Sequence, residues 1–76
     1  MAINLDAIRE SDIATALGMD DLDAACAHLQ GIAGITDGGV AGQVFSDVNF
    51  DWRTADRAAR ERMVRAWLRA ERAYAP

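Results

Sequence analysis

Between two stretches of helical periodicity runs Gly34-Ile-Thr-Asp-Gly-Gly-Val-Ala-Gly-Gln-Val-Phe-Ser46, whose four glycines restrict the fold more than any other feature of the chain. Glycine has no Cβ and loses more entropy on ordering than any other residue, so such a run needs an unusual backbone path or very close packing. Two conformations fit. Asp37-Gly38 can make a hairpin turn, with Gln43-Val44-Phe45 returning as a strand. Alternatively, Thr36 caps a short helix through about Phe45, with Val40 and Val44 at i, i+4. Gly38, Gly39, Ala41 and Gly42 then form a smooth surface for a second helix. Glycine costs up to about 1 kcal/mol relative to alanine in a helix, which packing must offset. β-Branched sequence elsewhere is too sparse to build a sheet around one hairpin, and an isolated hairpin is marginal. The short helix is the preferred reading.

The flanking segments read as helices. Asn4 or Asp6 starts a short element through Ile8. Ser11 is positioned as an N-cap, with Asp12 in the first turn and Ile13, Ala16 and Leu17 as the apolar stripe. Gly18 ends that element. Asp20 caps a helix over 20–33, with Asp21 and Asp23 in its first turn and Leu22, Cys26 and Leu29 repeating at i, i+4, i+7; Gly34 is its stop. Residues 46–52 are loop, anchored by Phe50 and Trp52. Thr54 caps the longest helix, which runs to about Tyr74 and is stopped by Pro76. Ala59, Met63, Trp67, Ala70 and Tyr74 share one face, flanked by Val64, and Arg62, Arg65, Arg69 and Arg72 share the opposite one. The expected fold is a mostly α, single-domain bundle of three to four helices over 1–76, with a glycine-rich central segment.

At 76 residues, 51% of them apolar, the chain is long enough for one small core and too apolar for a disordered tail. No apolar run approaches the roughly 18 residues of a membrane span. The first residues carry neither a basic n-region nor an apolar h-region, so no signal peptide is expected, and one cysteine forms no internal disulfide. A cytoplasmic location, in a bacterial host cell, follows as the expectation. All eight basic residues are arginine, a bias that fits a GC-rich bacterial or viral genome.

Charge divides the chain. Residues 1–51 hold nine acids against Arg9, a balance of −8, and residues 52–76 hold seven arginines against Asp56, Glu61 and Glu71, a balance of +4. Either the basic helix lies near the acidic half and the fields partly cancel, or the surface is dipolar and steers a charged partner.

No catalytic constellation emerges. Cys26 and His28 lie about 200° apart around one helix and cannot meet, so Cys26 reads as core and His28 as a boundary residue. One Cys and one His fall short of a structural zinc site. Asp47-Val-Asn49-Phe-Asp51 matches the first ligands of an EF-hand loop, but Trp52 stands where glycine is needed and Ala58 where the bidentate glutamate belongs. Gly39-Val-Ala-Gly42 lacks the rest of any phosphate-binding fingerprint. Gly34, Gly38 and Gly42, at i, i+4, i+8, favour close backbone packing over ligand binding. Catalytic, cofactor and metal residues are therefore expected to be none, and the protein not to be an enzyme. Interaction candidates are the arginine ridge Arg62, Arg65, Arg69 and Arg72 and the acidic cluster Asp20, Asp21 and Asp23. The ridge could track phosphates, but the domain is acidic and no solvent-side aromatics interleave with it.

Thr36-Asp-Gly-Gly-Val-Ala-Gly-x-x-Phe-Ser46, followed by a Trp-containing loop and an Arg/Glu/Tyr helix, resembles short uncharacterised proteins carried by phages and prophages, over roughly residues 20–75. In size, helical core and surface charge the chain is also similar in type to phage-encoded inhibitors of bacterial defence such as anti-CRISPR proteins, with no shared motif. No activity attaches to the resemblance; with no catalytic constellation, the expected function is that of a small non-catalytic protein that binds another protein, a defence complex such as CRISPR–Cas or a virion component. Nucleic-acid binding through the arginine helix is the alternative, no membrane partner is expected, and a homodimer stays open.

Overall fold

Aspartates at or near the starts of α1, α2 and α4 and left-handed residues after α2 and α3 break the chain into short rods. The computed structural model describes residues 3–74. Among these, all regular structure is helical: a 3-10 turn at Leu5–Ala7, then α1 (Glu10–Leu17), α2 (Leu22–Ala33), α3 (Ala41–Asp47) and α4 (Arg57–Tyr74). The mostly α bundle expected from the sequence is the fold, and the hairpin alternative for the glycine segment is excluded. The stop expected at Pro76 lies outside the described residues.

Several boundaries shift for identifiable reasons. Ser11 is not the cap of α1: the helix starts at Glu10, and the Arg9 N–H donates to the Asp12 carboxylate at 2.9 Å, half of a capping box. Asp21, not Asp20, caps α2, its Oδ1 accepting from the Asp23 N–H at 3.2 Å. Gly34 ends that helix in the left-handed region (φ 79), as anticipated. Asp56, not Thr54, caps α4, accepting from the Ala59 N–H at 2.8 Å.

The glycine segment does two jobs in sequence. Residues 36–40 form a turn with Gly38 and Gly39 at positive φ (82 and 55), and only then does α3 begin, five residues beyond Thr36. Asp37 Oδ1 accepts from the Gly39 N–H at 3.1 Å, and the Gln30 side-chain amide donates to the Gly38 carbonyl at 2.9 Å. The expected smooth glycine surface does not exist: Gly38 and Gly39 lie in the turn, and a Cβ on Gly42 would meet nothing. The i, i+4, i+8 spacing of Gly34, Gly38 and Gly42 is not a packing stripe.

Packing proceeds in two pairs: α1 with α2 and α3 with α4, joined where α1 meets α4. One cluster of buried side chains fills the interior, with Leu29, Val64 and Trp67 the largest fully enclosed. Phe45, Phe50 and Trp52 pack edge-on at ring separations of 5.8–6.5 Å, so the loop anchors expected at Phe50 and Trp52 stand. The buried stripe of α4 is rotated from the expected one, running through Val64, Trp67 and Glu71 with half-buried Arg60 in line, and Tyr74 is 76% exposed. Glu71 causes the rotation. Its Oε1 accepts from the Val40 N–H at 2.7 Å and from Trp67 Nε1–H at 2.9 Å, so a carboxylate occupies the interior at 4% exposure with donors to satisfy it.

Candidate functional site

The arginines of α4 divide into those held by the fold and those left to solvent. Arg60 donates to the carbonyls of Trp52 (2.8 Å), Leu17 (2.9 Å) and Met19 (3.3 Å), and its guanidinium stacks 4.9 Å from the Trp52 ring centre. It binds the open end of α1 to the start of α4, where the last carbonyls of a helix lack partners. Trp52 Nε1–H donates to the same Met19 carbonyl at 2.7 Å. Arg57 reaches the Ala14 carbonyl at 3.2 Å. Arg60 and Arg57 lay outside the sequence-derived ridge; Arg60 falls on the same stripe as Val64 and Trp67, which was the available signal.

Within the ridge, Arg65 bonds Glu10 (2.6 Å) and Glu61 (3.0 Å), and Arg72 bonds Asp6 (2.7 Å). The hydrogen bond from Arg65, then its charge, holds the Glu10 carboxyl below the ordinary glutamate range, and the same partners push the Arg65 guanidinium up. Arg62 and Arg69 are exposed and make no ion pair among the described residues. The ridge is therefore half consumed by clamping the chain's acidic beginning onto α4. The partial cancellation of fields is real, but it is confined to this side.

Elsewhere pairing does not occur among most of the aspartates. Asp20, Asp21, Asp23, Asp37, Asp47 and Asp51 are exposed and have no ion-pair partner among the described residues. Asp21, Asp37 and Asp51 each accept from a nearby backbone N–H, which orders the turn and leaves the charge in place. The structure thus brings Asp20, Asp21 and Asp23 together at the start of α2. It places Arg62 and Arg69 on a different helix, α4.

Between α2 and α3 lies a groove of about 520 Å³, walled by Leu22, Cys26, Phe45 and Phe50, floored by Ala41 and Gly42, and edged by Asp23. It exists because α2 packs on α1 while α3 packs on α4, and because Gly42 has no side chain. Cys26, read from the sequence as core, is half-buried on this wall. Burial first, then the charges of Asp23 and Asp21, push its thiol up to about 11, so at neutral pH it is protonated and reacts only slowly. His28 is half-buried with Nε2 enclosed and unbonded, on another part of α2.

The remaining motifs resolve into local geometry. Asn49 takes the left-handed conformation (φ 50) after α3, with the Phe50 N–H on the Phe45 carbonyl and the Asn49 N–H on the Ser46 carbonyl, both at 3.0 Å. This is a Schellman stop, which accounts for Asp47-Val-Asn49-Phe-Asp51 without calcium. At Gly39 the nearest group is the Glu71 carboxylate, so a phosphate there would face a negative charge. No helix among the described residues is long and apolar enough to cross a membrane. No family model, curated protein or solved structure matches the chain.

Proposed function

We infer that this protein acts by binding another protein, without catalysis, as a small phage- or prophage-type factor. The observation that carries the reading is the separation of charge across a rigid helical scaffold. Part of the positive charge of α4 is neutralised through Arg65–Glu10 and Arg72–Asp6, and Asp20, Asp21, Asp23 and Asp47 at the ends of α2 and α3 keep no ion-pair partner among the described residues. A lopsided field of this kind serves association rate and partner choice more than folding. The sequence pattern from Thr36 to Ser46 supports a phage origin, under which inhibition of a bacterial defence complex such as CRISPR–Cas, or a part in virion assembly, are the two roles.

Nucleic-acid binding through α4 is the weaker alternative. A phosphate-tracking ridge needs several free cations, and Arg65 and Arg72 are engaged within the chain, which leaves Arg62 and Arg69. Affinity capture from host lysate followed by native mass spectrometry decides between the two. A stoichiometric protein complex that survives Arg62→Glu/Arg69→Glu supports protein binding. A gel shift on random-sequence DNA or RNA that this double reversal abolishes, with no protein captured, would overturn it.

A further inference from the structure

The groove between α2 and α3 combines three properties that no structural role of the surrounding residues requires. Its walls present Leu22, Cys26, Phe45 and Phe50, apolar side chains only partly covered apart from the buried Phe45. Its floor includes Gly42, where a Cβ would meet nothing, so space is left open where any larger residue would fill it. Asp23 stands on its edge, with the unpaired Asp20 and Asp21 beside it at the start of α2 and Asp47 at the end of α3.

We propose that this groove docks an amphipathic helical segment of a partner protein, whose apolar side chains enter between α2 and α3 and whose flanking arginines or lysines meet the aspartates. The proposal rests on the protein-binding reading and deepens it by naming the surface and the chemistry of what it takes. Charge complementarity selects the occupant. Asp23 on the groove edge, and Asp20, Asp21 and Asp47 at the adjoining helix ends, lack an ion-pair partner among the described residues, so a cationic flank is attracted and an anionic one repelled. Two helices with a cleft between them suit a third helix laid into it, read out through i, i+3, i+4, i+7 anchors. The charges of Asp23 and Asp21 are felt at the Cys26 thiol, so the acidic field extends onto the groove wall. A second copy of this chain is a poor occupant: of the arginines on its α4, Arg57, Arg60, Arg65 and Arg72 are committed within their own fold.

The test uses two fluorescent helical peptides of roughly 16 residues with the same leucine face, one flanked by arginine and one by glutamate. The arginine peptide should bind and shield Cys26 from a thiol reagent, and the glutamate peptide should do neither. Gly42→Leu projects a side chain into the open space of the groove without backbone strain and should weaken binding by about tenfold or more, with the fold intact by circular dichroism. Asp21→Asn/Asp23→Asn keeps the α2 cap, since asparagine caps as well as aspartate, and should weaken binding by about tenfold at low salt and little at about 1 M salt. Arg62→Glu/Arg69→Glu should leave binding unchanged. Equal binding of both peptides, no binding of either, or full binding by Gly42→Leu overturns the proposal. So does self-association that Gly42→Leu abolishes, which would make a second copy the occupant. A host protein whose capture survives Gly42→Leu would leave the protein-binding reading standing and remove this groove from it.

Discussion

Gly39 and Gly42 lie three residues apart and have opposite tolerances. At Gly39 the backbone is left-handed and an added Cβ would overlap the buried Glu71 carboxylate. Gly39→Ala should therefore cost about 2 kcal/mol or more in chemical denaturation, from backbone strain plus displacement of a bonded carboxylate. Gly42 is helical with open space beyond it, so Gly42→Ala should stabilise by about 0.5–1 kcal/mol. A loss at Gly42 would show that the groove is narrower than described. Cys26 gives a pH signature. Its thiol is raised from 9.0 to about 11 in the fold, so between those values the unfolded chain binds fewer protons than the native one. Stability should then fall as pH rises through that window and be unaffected below it. Cys26→Ala should flatten that part of the profile, measured as melting temperature against pH relative to the parent.

At the scale of the elements, α4 is the organising rod, because Arg60, Trp67 and Glu71 tie it to α1, to the core and to the turn before α3. Trp67 is fully buried, and Trp67→Ala should cost about 3–5 kcal/mol, the range for large aromatic truncations in cores. Arg60→Met keeps much of the side-chain length and removes the donors to Leu17, Met19 and Trp52. It should cost about 1.5–3 kcal/mol, and Arg60→Lys should recover only part, since one ammonium cannot reproduce the planar fork. The helices themselves were legible in sequence, since Gly18, Gly34 and the periodic apolar residues mark them locally. The turn at residues 36–40 was not: three glycines in a helical register look alike whether they pack, turn or sit open, and only the partner at residue 71 separates them. Glu71 and Arg60 were missed for the same reason. A charged residue on an apolar stripe counts against that stripe until its buried donors or acceptors, 31 to 43 residues away, are known.

For the whole molecule, the −8 and +4 halves of the sequence do not map onto two faces of opposite sign. Folding spends part of the positive charge on Asp6 and Glu10, and Asp20, Asp21, Asp23 and Asp47 at the ends of α2 and α3 are among the acids left without an ion pair among the described residues. Arg62→Glu/Arg69→Glu should accordingly change melting temperature little, because neither residue has an internal partner among the described residues, whereas Arg65→Glu should lower it by confronting Glu10 and Glu61. If the two variants melt alike, the Arg65 clamp carries no net stability. The acidic groove was only half visible in sequence: Asp20, Asp21 and Asp23 were, but Phe45 comes from α3 and Phe50 from the loop after it, and nothing local reveals that they line a groove with Cys26.

The bond between Arg72 and Asp6, 2.7 Å long across 66 positions of sequence, also bears on how the chain is threaded. The side chains of residues 6 and 72 meet in space, so a covalent cross-link between the two positions would close the intervening chain into a ring. Closing a loop of this length restricts the unfolded ensemble by on the order of 4 kcal/mol in the chain-entropy picture.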